Sequence, residues 1–97
     1  AQAYARLRCA AYGWCENDYY NLVALWNKES HWNMYAQNRY SGAYGIPQAL
    51  PGSKMASAGS DYLTNYQTQV NWGLRYIKGR YGNPTVALYH SQATGWY

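Results

Sequence analysis

Between residues 33 and 61 the chain carries Gly42, Gly45, Pro47, Pro51, Gly52 and Gly59. Breakers at that density forbid a long helix or a central strand, so regular structure must come from the flanking segments. Both flanks show a helical period. Residues 2–11, QAYARLRCAA, are helix formers running toward Gly13, a natural residue just past a helix end. Asn17 and Asp18 can cap the next segment, whose Leu22, Val23, Leu25 and Trp26 recur at helical spacing. Beyond the middle, Thr64 followed by Gln67 reads as a capping box for a helix with the stripe Val70, Gly73, Leu74, Ile77 and Tyr81. Gly82 ends it, and Asn83 with Pro84 opens a last short helix bearing Val86, Ala87, Tyr89 and His90. The expected fold is mainly α, with about four main helices around one core. Its Gly/Pro-rich loop lobe is expected to hold a helical turn near residues 53–58 and little or no strand.

At 97 residues the chain supports a single domain, 1–97, because a chain of this size buries only about two-thirds of its unfolded surface. Its apolar runs fall far short of the roughly 20 residues a membrane-crossing helix needs, so no membrane insertion is expected. A start at Ala1 without Met or a leader predicts a mature protein or an excised domain. Eight Lys and Arg against four Asp and Glu give a net charge of +4, which favours anionic partners. The cations form no cluster beyond Arg75, Lys78 and Arg80. A nucleic-acid groove is therefore not expected, whereas an anionic cell wall suits the charge.

Thirteen Tyr, five Trp and no Phe point to half-exposed clefts, where a ring needs both an apolar face and a polar edge. Sugars are ligands of that kind. Trp32, Tyr62 and Trp96 can serve either as stacking rings or as core. Cys9 and Cys15 enclose five residues, which is neither zinc nor redox spacing. An even count in a small domain predicts one local disulfide and an oxidising compartment, with two free buried thiols as the alternative. His31 and His90 have no metal spacing, so no metal or cofactor is expected.

Glu29 is the residue that helix formation alone does not explain. It lies three beyond Trp26 and four beyond Leu25, on the apolar stripe and near the end of its helix. Loss of water and the negative end of the helix dipole both disfavour its charged form, which prepares a general acid. The plainer alternative is an end-of-helix ion pair with Lys28 or Arg75.

Further motifs surround it. Glu29-Ser30 is followed by SGAYGIPQALPGSKM over residues 41–55, by NWGL over 71–74, by ALYH over 87–90 and by a terminal GWY. This order resembles the soluble lytic transglycosylases of the lysozyme superfamily, and most of all the short secreted actinobacterial domains ending in Gly-Trp-Tyr. The resemblance covers nearly the whole chain. It implies a lysozyme-like helical fold and a secreted or wall-associated enzyme, expected as a monomer, acting on peptidoglycan glycan strands. Glu29 would be the catalytic acid, Ser30 its hydrogen-bonding neighbour, and Gly45 and Gln48 part of the substrate groove. Tyr89 matches the Tyr of the family's Ala-Tyr-Asn motif; His90 stands where that motif has Asn, and Pro47 where the family has Met. Tyr44, in the Gly-flanked turn, is the favoured ring for stacking on a sugar.

Residues 31–44 contain no acid, whereas goose-type lysozymes carry a second one in that interval. The resemblance therefore implies a transglycosylase that leaves 1,6-anhydro-muramyl ends. A lysozyme-type hydrolase and a non-catalytic glycan-binding module are the alternatives. Asp61 is the nearby candidate for a second carboxylate, and its place before Thr64 reads more simply as loop or capping chemistry.

Overall fold

A computed structural model describes residues 1–97. Helices α1 (Gln2–Ala11), α2 (Glu16–Ser30), α3 (Tyr66–Arg80) and α4 (Pro84–Thr94) frame a loop lobe that carries one 3-10 helix, Gly52–Ser57. No strand forms, and β pairing in the lobe is limited to two isolated bridges, Gln37 to Tyr44 and Tyr44 to Ala49. The mainly helical, lysozyme-like class read from the sequence is the class observed. No helix is long and apolar enough to cross a membrane.

Helix α2 supplies the centre of the core. Its Leu22, Leu25 and Trp26 are fully buried in one cluster with Ala5 and Cys9 of α1, Val70, Leu74 and Ile77 of α3, and Ala87 and Leu88 of α4. Each large aliphatic side chain removed from water there contributes about 1.5–3 kcal/mol. Gly73 is required where α3 meets this cluster. A Cβ at that position would lie 2.6 Å from Trp26 Cζ2 and 3.0 Å from Pro47 Cβ, so α2 and the loop lobe both press on α3 at one point.

The helix starts differ in detail from the sequence expectation. Cys15, not Asn17 or Asp18, is the N-cap of α2; Asp18 sits one turn in and accepts the Cys15 N–H at 3.2 Å. Asn65 caps α3 by accepting the Gln67 N–H at 2.9 Å, which leaves Thr64 outside the helix. Asn83 and Pro84 open α4 as expected, Asn83 accepting the Val86 N–H at 2.9 Å. The inward face of α4 is Ala87, Leu88 and Ser91, while Val86 and Tyr89 turn to solvent. Four apolar residues in a row, 86–89, let the helical period select no face.

Cys9 and Cys15 are free thiols, so the local bridge expected from their count is not formed. Cys9 faces the core, where burial, followed by the nearby Asp18 charge, pushes its thiol up to about 11. Cys15 is exposed at the head of α2, its sulfur donating to Asp18 Oδ2 at 3.3 Å.

Candidate active site

Helix α2 ends one residue after Glu29, because His31 and Trp32 both turn left-handed, with φ of 52° and 60°. The buried Ser30 hydroxyl donates to Ile46 O at 2.7 Å, fastening this helix end to the Gly45–Gln48 turn. Gln69 of α3 holds the turn from behind. Its fully buried side chain accepts the Ile46 N–H at 2.9 Å and donates to Met34 O at 3.0 Å and Tyr62 O at 2.8 Å. Gly45 makes room for it: at φ 81°, a Cβ there would stand 2.6 Å from Gln69 Oε1.

In front of this assembly lies a cleft of about 510 Å³. Lys28 and Glu29 enter it from α2, Asn38, Gln48 and Lys54 from the loop lobe, Trp72 and Tyr76 from α3, and Trp96 and Tyr97 from the segment after α4. Removal from water raises the pKa of the half-buried Glu29 carboxyl, and the neighbouring Lys28 charge works against that rise. Neither expected ion-pair partner reaches Glu29. Lys28 Nζ donates to Ser91 O at 3.0 Å and Ser91 Oγ at 2.7 Å, and Arg75 donates to Ser57 Oγ at 2.7 Å. The molecule's ion pair is Arg6 with Glu16, on the surface.

Gln48 adopts left-handed backbone, φ 56°, and spends its amide hydrogens on Ala36 O at 3.0 Å and Gly45 O at 2.8 Å. Its Oε1 is left as the acceptor it can offer to a ligand. Tyr97 joins three parts of the site: its hydroxyl accepts the Trp26 Nε1–H at 2.9 Å and donates to Pro47 O at 2.7 Å, and its carbonyl accepts the Tyr76 hydroxyl at 2.8 Å. Burial lifts the Tyr97 hydroxyl well above the ordinary phenol range, donation from Trp26 opposes this, and the Glu29 charge adds to it. A neutral phenol therefore shares the cleft wall with the carboxyl.

The residues singled out from sequence divide accordingly. Glu29 and Gln48 share the cleft, while Ser30 and Gly45 lie behind it as buried supports. Tyr44 lines a second, shallower hollow of about 250 Å³ with Tyr62 and Leu63, its hydroxyl donating to Leu63 O at 3.0 Å. Tyr89 is 65 % exposed and takes no part in the cleft wall. His90 packs on the rings of Tyr81 and Trp96, at 5.2 and 4.4 Å between centroids, and also stays out of the wall. Trp96 is the stacking candidate that does line the cleft. Sequence reasoning missed Tyr97, Trp72 and Tyr76. Trp72 and Tyr76 stack at 5.2 Å and 15°, and their four-residue spacing on one helix was the available signal. For Tyr97 no periodicity helps, because the left-handed Gly95, φ 84°, turns the chain back after α4.

The other three acids are engaged elsewhere. Glu16 pairs with Arg6. Asp18 accepts the Thr85 hydroxyl at 2.6 Å. Asp61 accepts Asn65 Nδ2 at 2.8 Å and Thr68 Oγ1 at 2.7 Å, bonds that hold its carboxyl below the usual range. Glu29 is thus the one carboxyl side chain in the cleft, with its acidity weakened. No group of three or more His, Cys, Asp or Glu side chains is placed to hold a metal ion.

No curated protein and no solved structure matches the chain. The family profile described as Transglycosylase SLT domain matches residues 11–93, a span that contains Glu29 and Gln48 and stops short of Tyr97. By that match, over most of its length, the chain belongs to the transglycosylase SLT domain family.

Proposed function

We propose that this chain cleaves the β-1,4 bond between N-acetylmuramic acid and N-acetylglucosamine in peptidoglycan, with Glu29 as its only acid and base, and closes a 1,6-anhydro ring on the muramyl end. Family membership supports glycan cleavage of the lytic-transglycosylase type. The observation that carries the finer reading is the solitary carboxyl side chain: Glu29 lines the cleft with a raised pKa, and Asp61 is absent from its wall.

Paired-acid glycosidases use a second carboxyl as nucleophile or as the base that activates water. With one carboxyl, the substrate must supply the nucleophile. Protonated Glu29 donates to the bridging oxygen, the C1–O bond breaks, and the N-acetylglucosamine hydroxyl leaves. The muramyl N-acetyl oxygen bonds to C1 and carries the positive charge as an oxazolinium ion. Glu29, now a carboxylate, takes the proton of the muramyl 6-hydroxyl as O6 displaces the acetyl oxygen at C1. The acetamide is restored, Glu29 is protonated again, and no water is consumed. Ring closure within one sugar has the rate advantage of an intramolecular reaction. In this reading Gln48 Oε1 accepts from a sugar N–H or O–H and Trp72, Tyr76 and Trp96 offer ring faces, since all four line the cleft. Action on a wall polymer implies a secreted or wall-associated protein.

The test compares Glu29→Gln with Asp61→Asn on purified peptidoglycan. The amide keeps the shape of Glu29 but cannot donate and recover a proton, so cleavage should stop. Asp61→Asn should retain most of the rate. Equal losses in the two variants would favour the two-carboxyl hydrolase instead.

A further inference from the structure

Three charged side chains line the cleft: Lys28, Glu29 and Lys54. Lys28 is committed to Ser91 through two hydrogen bonds. Lys54 has no acidic partner, since the molecule's ion pair is Arg6 with Glu16 and the remaining acids, Asp18 and Asp61, are bonded elsewhere. The side chain is exposed at the cleft, but the backbone beneath it is fixed. Next to Lys54 in the 3-10 helix, Met55 is fully buried. At one end of that helix a Cβ on Gly52 would stand 2.8 Å from Tyr44 Cβ; at the other, Ser57 Oγ accepts from Arg75 at 2.7 Å. When Glu29 is protonated, as its first step requires, the cleft wall holds two cationic side chains and no anionic side chain. Binding a neutral sugar leaves the Lys54 charge unused.

We propose that Lys54 is a specificity-determining residue of the cleft, receiving a carboxylate that the substrate carries beside its muramyl sugar. This rests on the glycan-cleaving reading above and adds the chemical class of strand it selects. Two sources share that chemistry: the lactyl carboxylate of a muramyl sugar without peptide, and a carboxylate of the stem peptide when the lactyl group is amidated. Polymers of N-acetylglucosamine alone carry neither.

The test measures binding, so that it stands apart from the chemistry. In the full chain carrying Glu29→Gln, dissociation constants are measured by calorimetry for three ligands: a chitin tetrasaccharide, a peptide-free alternating muramyl tetrasaccharide, and the same tetrasaccharide bearing stem peptides. The measurements are repeated with Lys54→Gln and Lys54→Arg added, after matching melting curves show that each variant is folded. The preference for a carboxylate-bearing ligand over chitin should fall roughly three- to tenfold in Lys54→Gln, persist in Lys54→Arg, and shrink with added salt. A fall with the peptide-free ligand identifies the lactyl carboxylate; a fall confined to the peptide-bearing ligand identifies the stem peptide. A preference unchanged by Lys54→Gln overturns the assignment while leaving the cleavage reading intact. Failure of all three ligands to bind overturns both.

Discussion

Replacement of Gln69 by Leu probes how the cleft is held open in the right shape. Leucine roughly conserves volume, so the cavity term is small and the lost hydrogen bonds dominate. The Ile46 amide is buried and would lose its acceptor, at a cost of about 1–3 kcal/mol; the Met34 and Tyr62 carbonyls are only partly buried and can recover water, at about 0.5–1 kcal/mol each. The sum is about 2–5 kcal/mol, a large share of the roughly 5–15 kcal/mol that stabilises an ordinary domain. Urea unfolding followed by tryptophan fluorescence should show the unfolding free energy lowered by that amount, through a lower midpoint at unchanged slope. Gly45→Ala should be costly alone, because its Cβ meets Gln69 at 2.6 Å and its φ is 81°. Placed on Gln69→Ala, it should cost less, since only the backbone strain remains. A loss under about 1 kcal/mol for Gln69→Leu would refute the idea that this amide braces the turn beside Glu29.

The raised pKa of Glu29 means the folded state holds this proton more tightly than the unfolded chain. The stability cost is absent below the unfolded value and appears as pH rises through the folded one, so Glu29→Gln should match wild type near pH 4 and exceed it at neutral pH, by under about 1 kcal/mol for a half-exposed group; paired melting curves at the two pH values check this. Lys28→Met removes the charge that restrains the rise, so the alkaline limb of the activity profile should move to higher pH. Gly73→Ala forces a Cβ against the indole of Trp26 at 2.6 Å and should destabilise by about 1–3 kcal/mol in urea unfolding. A thiol titration of folded protein should find Cys15 fast and Cys9 protected until unfolding; a count of zero free thiols would restore the local bridge.

What the sequence made legible follows from its periodicities. Of the α2 and α3 stripe residues, Leu22, Leu25, Trp26, Val70, Gly73, Leu74 and Ile77 are buried, while Val23 and Tyr81 are half-buried at the edge of the core. Glu29 stood out because a carboxylate continued such a stripe, and it does line the cleft. Contacts made across the chain carried no such signature. Gln69 reads as a polar residue at a helix start, yet it is fully buried against backbone from three loop positions. Ser30 and Gly45 entered through the resemblance, and a motif match names residues without their direction: Ser30 bonds to Ile46 O, and Gly45 packs against Gln69. Tyr89 and Tyr97 show the same limit: the motif-matched tyrosine faces solvent, and the tyrosine that shares the cleft with Glu29 arrives through a turn at Gly95.

One carboxyl suffices for cleavage if the substrate closes on itself. Mass spectrometry of the soluble products from purified peptidoglycan tests this directly, because ring closure and hydrolysis differ by one water in every fragment. Ring closure should give fragments ending in 1,6-anhydro-muramic acid, lighter by one water than their hydrolysed counterparts, and none from the Glu29→Gln protein. Products carrying reducing muramyl ends, with label incorporated when digestion is run in 18O water, would contradict it and assign the chain to hydrolysis.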